Sequence, residues 1–301
     1  MIRAPIGNQE YWKRGISFLT DALPKKLELL SKPSVNPVYD PQYVLNLSHY
    51  YVDLMLRSYS RGDSIRGLDQ YFAGLLDAWE LSDRLAVKVC DEYDLKTCRD
   101  WDFSLANLNH YNYCFWLVGL ALTLEIPGEQ WRRLVALVGG AGEDVLLDRV
   151  IASRESQRSI GRALLHPKPY ARLLKAVNTA PGQQAEALLD FVNHWYPELK
   201  RPAPKERQAP RCQPYWYNYG DPEKNPLDMD NYFGRWCIEA VAAVKAFGLD
   251  DSLCLGHEHY PGDLLRPDGP STHKPRPDVD SASGESMLMR LLSKFRKGPH
   301  A

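Results

Sequence analysis

The chain has 301 residues, 44% of them apolar and 25% charged, and a formal net charge of −1. This is the composition of an ordinary globular protein, long enough to bury a large core as two units or one large one. Near-neutrality excludes a uniformly basic nucleic-acid binder, although it is compatible with a local charged patch.

The first residues, Met1-Ile2-Arg3-Ala4-Pro5, are followed by Asn8, Gln9, Glu10, Lys13 and Arg14. No apolar signal-peptide core forms there, so a cytoplasmic location is expected. Helical periodicity then sets in. Tyr43, Leu47, Tyr50, Tyr51, Leu54 and Met55 share one face of a 3.6-residue helix, with Asn46, Asp53 and Arg57 on the other. Ile65, Leu68, Phe72, Leu75, Leu76, Trp79, Ala86 and Val89 repeat the pattern. Gly62-Asp63-Ser64 between them predicts a turn with Ser64 as N-cap, and two helices packed antiparallel.

A third helix is expected over 104–125, stopping before Pro127, and a fourth over 128–138. The apolar run Tyr113–Ile126 is too short for a membrane span and reads as a buried helix. Gly139-Gly140-Ala141-Gly142 breaks the pattern and predicts a domain boundary, giving units 1–140 and 141–265. Helices follow over 143–153, 168–178 and 182–196, with Pro181 in the first turn of the last and Pro197 ending it. Seven prolines, from Pro197 to Pro226, make 198–228 a long loop. It carries the cluster Tyr215-Trp216-Tyr217-Asn218-Tyr219, which either presents sticky side chains or packs on the helices.

The last helical stripe joins Phe233, Trp236, Cys237, Ala240, Val241, Val244 and Phe247, with Asp228 or Asp230 as cap and Gly248 just past the end. Residues 266–301 read as a flexible linker followed by a short amphipathic helix, Met287–Lys297, facing its own domain, a partner or a membrane. No period-2 run of β-branched residues occurs and no repeat period is evident. The fold class is therefore all-α: two packed helical domains with little or no sheet and a proline-rich tail.

Catalytic signatures are missing. There is no GxGxxG, GxxxxGK[ST], GxSxG or HExxH. His257-Glu258-His259, and His110 with Cys114, are incomplete metal sets. Asp190 with Glu198-Leu199-Lys200 imitates a nuclease carboxylate–lysine spacing, but on a helix rather than on converging strands. The six cysteines, Cys90, Cys98, Cys114, Cys212, Cys237 and Cys254, include no CxxC pair and read as reduced core thiols. Neither a cofactor nor a metal is expected.

Charge is segregated. Residues 77–102 hold four surplus negatives, residues 221–251 another four, and residues 149–175 six surplus positives. Such segregation steers a complementary partner.

Two stretches resemble the PoNi family, the immunity proteins of polymorphic nuclease effectors. The N-terminal one is Tyr50-Tyr51-Val52-Asp53-Leu54-Met55-Leu56-Arg57-Ser58-Tyr59-Ser60-Arg61-Gly62. The C-terminal set is Tyr232-Phe233-Gly234-Arg235-Trp236-Cys237-Ile238-Glu239-Ala240, Gly248-Leu249-Asp250-Asp251 and Tyr260-Pro261-Gly262-Asp263-Leu264. The likeness spans residues 10–265. The sequence departs from it at Arg235, where an aromatic is usual, and at His259, where a tyrosine is common. The resemblance implies an all-helical, cytoplasmic protein without enzymatic activity. Such a protein neutralises a DNase toxin, often one delivered by a type VI or related contact-dependent system, and needs neither nucleic acid nor membrane as partner. A homo-oligomer is left open.

A DNase is basic where it holds phosphates, so its inhibitor is expected to present carboxylates with aromatic anchors among them. Two surfaces meet that requirement: Asp91, Glu92, Asp94, Asp100 and Asp102; and Trp216, Tyr217, Tyr219, Asp221, Glu223, Asp228 and Asp230. Rival readings are a metal-dependent hydrolase and a scaffold or membrane-surface protein.

Overall fold

The computed structural model describes residues 1–99, 103–200 and 213–276. Among them are nine α-helices and no strand, only an isolated bridge between Asp221 and Asn225. The expected 287–297 helix lies outside the described residues.

α1, Gln9–Leu29, carries no expectation from the sequence, yet its signals are ordinary ones. Asn8 caps it, its side chain accepting from the Tyr11 N–H at 2.8 Å. Tyr11, Trp12, Gly15, Ile16, Leu19 and Leu23 form its buried stripe, and Pro24 interrupts the pattern beyond. α2, Asp40–Arg61, ends as expected at Gly62, whose left-handed φ of 100° lets its N–H reach Ser58 and Tyr59 carbonyls. α3, Phe72–Tyr93, runs antiparallel to it: Ser82 Oγ donates to the Pro41 carbonyl at 2.7 Å. The connection differs from expectation. Two 3₁₀ turns, Ile65–Gly67 and Asp69–Tyr71, precede α3, and the Ser64 side chain makes no cap bond.

α4, Leu108–Thr123, starts later than expected because Asn107 caps it, accepting from Asn109 N–H at 3.1 Å. Every residue of α4 is buried, so it is the axis of the molecule rather than an amphipathic surface helix. α5, Gly128–Val138, α6, Val145–Ala152, and α7, Pro167–Asn178, follow the expected bounds closely. α8, Gln184–Leu199, runs through Pro197 instead of stopping there. Its last turn is held by the fully buried Leu199 and by Glu198, which accepts from Arg172 Nε at 2.9 Å.

α9 is Ile238–Phe247, five residues shorter than the apolar stripe suggests. Gly234 has a left-handed φ of 107°, which breaks a helix there. The segment is tied to α2 by Ser60, whose hydroxyl donates to the Phe233 carbonyl at 2.8 Å and accepts from Trp236 Nε1 at 2.8 Å. Neither Asp228 nor Asp230 therefore caps α9; Asp228 sits in a 3₁₀ turn, Leu227–Met229, and Asp230 ends that turn with φ 54°. Gly248 does end the helix, with φ 65°.

α4 lies directly on α9. A methyl group added at Gly119 would come 2.7 Å from Ile238 Cγ2. One continuous core consequently runs from Ile2 to Leu264, across the 139–142 turn, with a smaller one between α1, α2 and α3 around Ile16, Val44 and Leu54. Residues 266–276, expected to be linker, stay largely exposed but are pinned to the body at His273 and Thr272. His273 is buried and its Nε2 lies 2.8 Å from Tyr59 Oη; Thr272 N–H donates to Asp263.

Candidate functional site

The first expected acidic surface forms at the end of α3. Asp91 and Glu92 occupy its last turn, and Asp94 stops the helix with φ 49°. All three are exposed, and no basic residue stands in that turn. Carboxylates at a helix C-terminus face the negative end of the macrodipole, which costs stability. The following strand of chain is strapped back onto α3. Cys98 Sγ lies 3.1 Å from Cys90 Sγ, and Arg99 pairs with Asp83 while stacking 3.7 Å over the Phe103 ring. Cys90 and Cys98 are thus half-buried rather than core thiols. Asp100, Asp102 and Cys212 lie outside the described residues.

The second surface is only partly as expected. Trp216 is 1% exposed, donates from Nε1 to Asn112 Oδ1 at 2.9 Å, and packs between Trp116 and Trp195. Tyr217 is buried and stacked on Tyr196 at 4.5 Å. Both belong to the core, because a tryptophan N–H and a tyrosine ring found partners inside; neither is a surface anchor. Tyr219 is half-buried. Asp221 accepts from Glu223 and Lys224 N–H groups, both at 3.0 Å, which hold its carboxyl below its usual range. Glu223 and Asp228 are exposed.

Asp230 opens a feature that sequence reasoning missed. A cleft of about 450 Å³ lies between α1, α2 and the 215–231 segment, lined among others by Phe18, Asp53, Arg57, Tyr215, Tyr219 and Asp230. Arg57, buried within α2, turns to the loop: its Nη1 is 3.4 Å from Asp230 Oδ1 and its Nη2 donates to the Asp230 carbonyl. Asp53, one turn earlier, is left without that partner. Burial pushes its carboxyl up to about 7, opposed by the Arg57 charge. His49, stacked at 6.2 Å on Tyr215, is pushed down to about 4 by burial and is neutral at pH 7. The period of α2 had assigned Asp53 and Arg57 to a solvated face. The available signal was their i, i+4 spacing on a helix with aromatics on both sides.

Glu239, Asp190, Glu198, His259 and His110 have structural partners. Glu239 of α9 is wholly buried; its Oε1 accepts from Asn112 Nδ2 at 2.8 Å, Tyr170 Oη at 2.9 Å and Trp195 Nε1 at 3.3 Å. Its Oε2 accepts from Trp116 Nε1 at 3.3 Å. Burial raises it to about 7, and the donors hold it back. Asp190 and Glu198 both accept from Arg172, at 2.6 and 2.9 Å, so the nuclease-like spacing is an ion-pair clamp between α7 and α8. His259 Nδ1 lies 3.1 Å from the Arg235 carbonyl, and the His259 N–H donates to His257 Nδ1 at 3.1 Å. His110 Nε2 is 3.4 Å from Cys114 Sγ inside the core. Among the described residues no three His, Cys, Asp or Glu side chains converge as a metal site, and no helix is long and apolar enough to cross a membrane.

Two family profiles match the chain: the N-terminal region of PoNe immunity protein (PoNi) over residues 3–136, and the C-terminal region over 142–264. The chain belongs to the PoNi family of immunity proteins. The PoNi matches lie on either side of residues 137–141, in and beside the glycine-rich turn, and together cover nearly all the described residues. Among solved structures, the crystal structure of protein PA2201 from Pseudomonas aeruginosa shares the fold. It is 20% identical, with a TM-score of 0.63 over 88% of this chain and 89% of that one. No curated protein matches.

Proposed function

We propose that this chain binds a cognate antibacterial DNase toxin and silences it by occupancy, without chemistry of its own, in the cytoplasm of the cell that makes both. Membership of an immunity-protein family, resting on both halves of the chain, is the observation that carries this reading. The acidic end of α3 supports a binding role. Asp91, Glu92 and Asp94 are exposed where they oppose the helix dipole, so stability does not account for them. Glu223 and Asp228 extend a second acidic edge. Carboxylates arranged this way match a surface built to hold phosphates, and they accelerate encounter with it.

The test is protection in cells. Co-expression with the nuclease domain of a cognate PoNe toxin should restore growth, and tagged chain should retain that domain through purification. Replacing Asp228 by Lys lowers the association rate and affinity about tenfold at low salt, an effect that fades as salt rises. Growth arrest despite abundant folded chain contradicts the proposal.

A further inference from the structure

Among the described cysteines, Cys114, Cys237 and Cys254 are wholly buried in the apolar core. Cys90 and Cys98 are only half-buried, and their Sγ atoms lie 3.1 Å apart. Core filling accounts for the first three, since a free thiol packs as a small hydrophobe. It does not account for two thiols in contact near solvent.

The chain holds that pair together from both sides. Asp94 stops α3 with a left-handed φ of 49°, and the N–H groups of Asp94 and Leu95 both donate to the Cys90 carbonyl. The chain thereby doubles back along α3, and Cys98 Sγ also lies 3.7 Å from the Ala86 carbonyl, one turn before Cys90. Just beyond, Arg99 pairs with Asp83 and donates to Ser82 Oγ at 3.3 Å. Between these ties Cys98 sits in irregular backbone, whereas Cys90 belongs to the last turns of α3. A disulfide needs its sulfurs about 2.0 Å apart, so roughly 1 Å of approach remains. The irregular segment can supply it without disturbing the helix.

We propose that Cys90 and Cys98 form a reversible disulfide site whose closure clamps the end of α3. With hydrogen peroxide as oxidant, the Cys90 sulfur attacks one peroxide oxygen, the O–O bond breaks, and a water leaves a sulfenic acid on Cys90. The Cys98 sulfur then attacks that sulfur. An S–S bond forms, the S–O bond breaks, and a second water carries away the Cys98 proton. Two thiols are thus oxidised and one peroxide is reduced to two waters. Burial and the contact with Cys90 push the Cys98 thiol up to about 11, which leaves the first attack to Cys90. A dithiol reductant reverses the reaction by thiol–disulfide exchange. In a compartment kept reducing, the free thiols are the resting form and the bond answers an oxidative challenge. The loop it closes carries Asp91, Glu92 and Asp94, so oxidation restrains the acidic end of α3.

Treating the purified full chain with hydrogen peroxide, then mapping its peptides by mass spectrometry without reduction, tests this. A cross-link between Cys90 and Cys98 should appear, lighter by two hydrogens and removed by dithiothreitol. The oxidised chain should melt roughly 3 °C higher, as expected for closing a short loop in a chain of this size. Trypsin should cut after the exposed Lys96 about fivefold more slowly, because local opening is restrained. Cys98→Ser should abolish the cross-link and the melting shift, and leave a sulfenic acid at Cys90 that dimedone traps. Thiols at 90 and 98 that both stay free under peroxide sufficient to oxidise glutathione in the same tube would overturn the proposal. So would a bond from either to another cysteine, or a cross-linked chain that melts no higher.

Discussion

At the scale of single residues, buried polar side chains join the two family segments. Glu239 is the clearest case, because one carboxylate collects donors from α4, α7 and α8. Glu239→Ala would leave four buried donors unsatisfied. We expect a loss on the order of 4 kcal/mol in urea unfolding, and most of it persists in Glu239→Gln, whose amide places an N–H against donors. A loss below 1 kcal/mol for both would refute this role. Tyr11 extends the same logic, its hydroxyl donating to the Tyr232 carbonyl at 2.6 Å, and Arg3 reaches Asp263 at 2.6 Å. The two departures from the family pattern are neighbours: the Arg235 guanidinium lies 4.8 Å over the Tyr196 ring, against which His259 also packs. None of these pairings was legible beforehand. Sequence period says which face a residue occupies, but not which distant donor meets it. Glu239 therefore counted toward an acidic surface from which it is absent.

Elements were more legible than contacts. The stripes of α2 and α3, the Gly62 and Gly248 ends and the bounds of α5, α6 and α7 follow from local chemistry that the sequence displays. Local rules failed where tertiary bonds overrode them. Phe233, Trp236 and Cys237 have helical spacing, yet Ser60 and the left-handed Gly234 hold them out of the helix. The aromatic cluster split, Trp216 and Tyr217 going to the core and Tyr215 and Tyr219 to the cleft. One element carries a discriminating prediction. Because α3 ends in unopposed carboxylates, Asp91→Lys with Glu92→Lys should stabilise the fold by about 1 kcal/mol while weakening toxin binding tenfold or more. Denaturant melts and titrations on one preparation check both signs. Stability and affinity falling together would show that these side chains serve the fold.

For the whole molecule, one continuous core makes stability respond to pH as a unit. Burial lowers His49, His110, His259 and His273 to about 4, from an ordinary 6.5. The unfolded chain binds those protons more tightly between pH 4 and 6.5, so their contribution is lost as pH falls through that window. Asp53 and Glu239, raised to about 7, act oppositely: they favour the folded state at low pH and lose that advantage as pH rises from about 4 to 7. The lowered histidines outnumber the raised carboxyls, so the balance near pH 5.5 favours acid lability. Thermal melts from pH 8 to 5 should show a steep fall below 6.5; a flat or rising profile would show that the histidines are solvated. The all-helical class and the family were readable from the sequence, since both rest on patterns along the chain. The cleft was not, because α1, α2 and the 215–231 segment meet only in the fold.

We propose that this chain stops a nuclease by covering it. The most direct test is a DNA-cleavage assay with the purified PoNe nuclease domain, titrated with this chain at fixed ionic strength. Cleavage should fall linearly to zero at a fixed, near-stoichiometric ratio, and a chain carrying Lys at positions 91, 92 and 94 should shift the end point to large excess. Full cleavage at saturating wild-type chain, or equal inhibition by the charge-reversed chain, would contradict it.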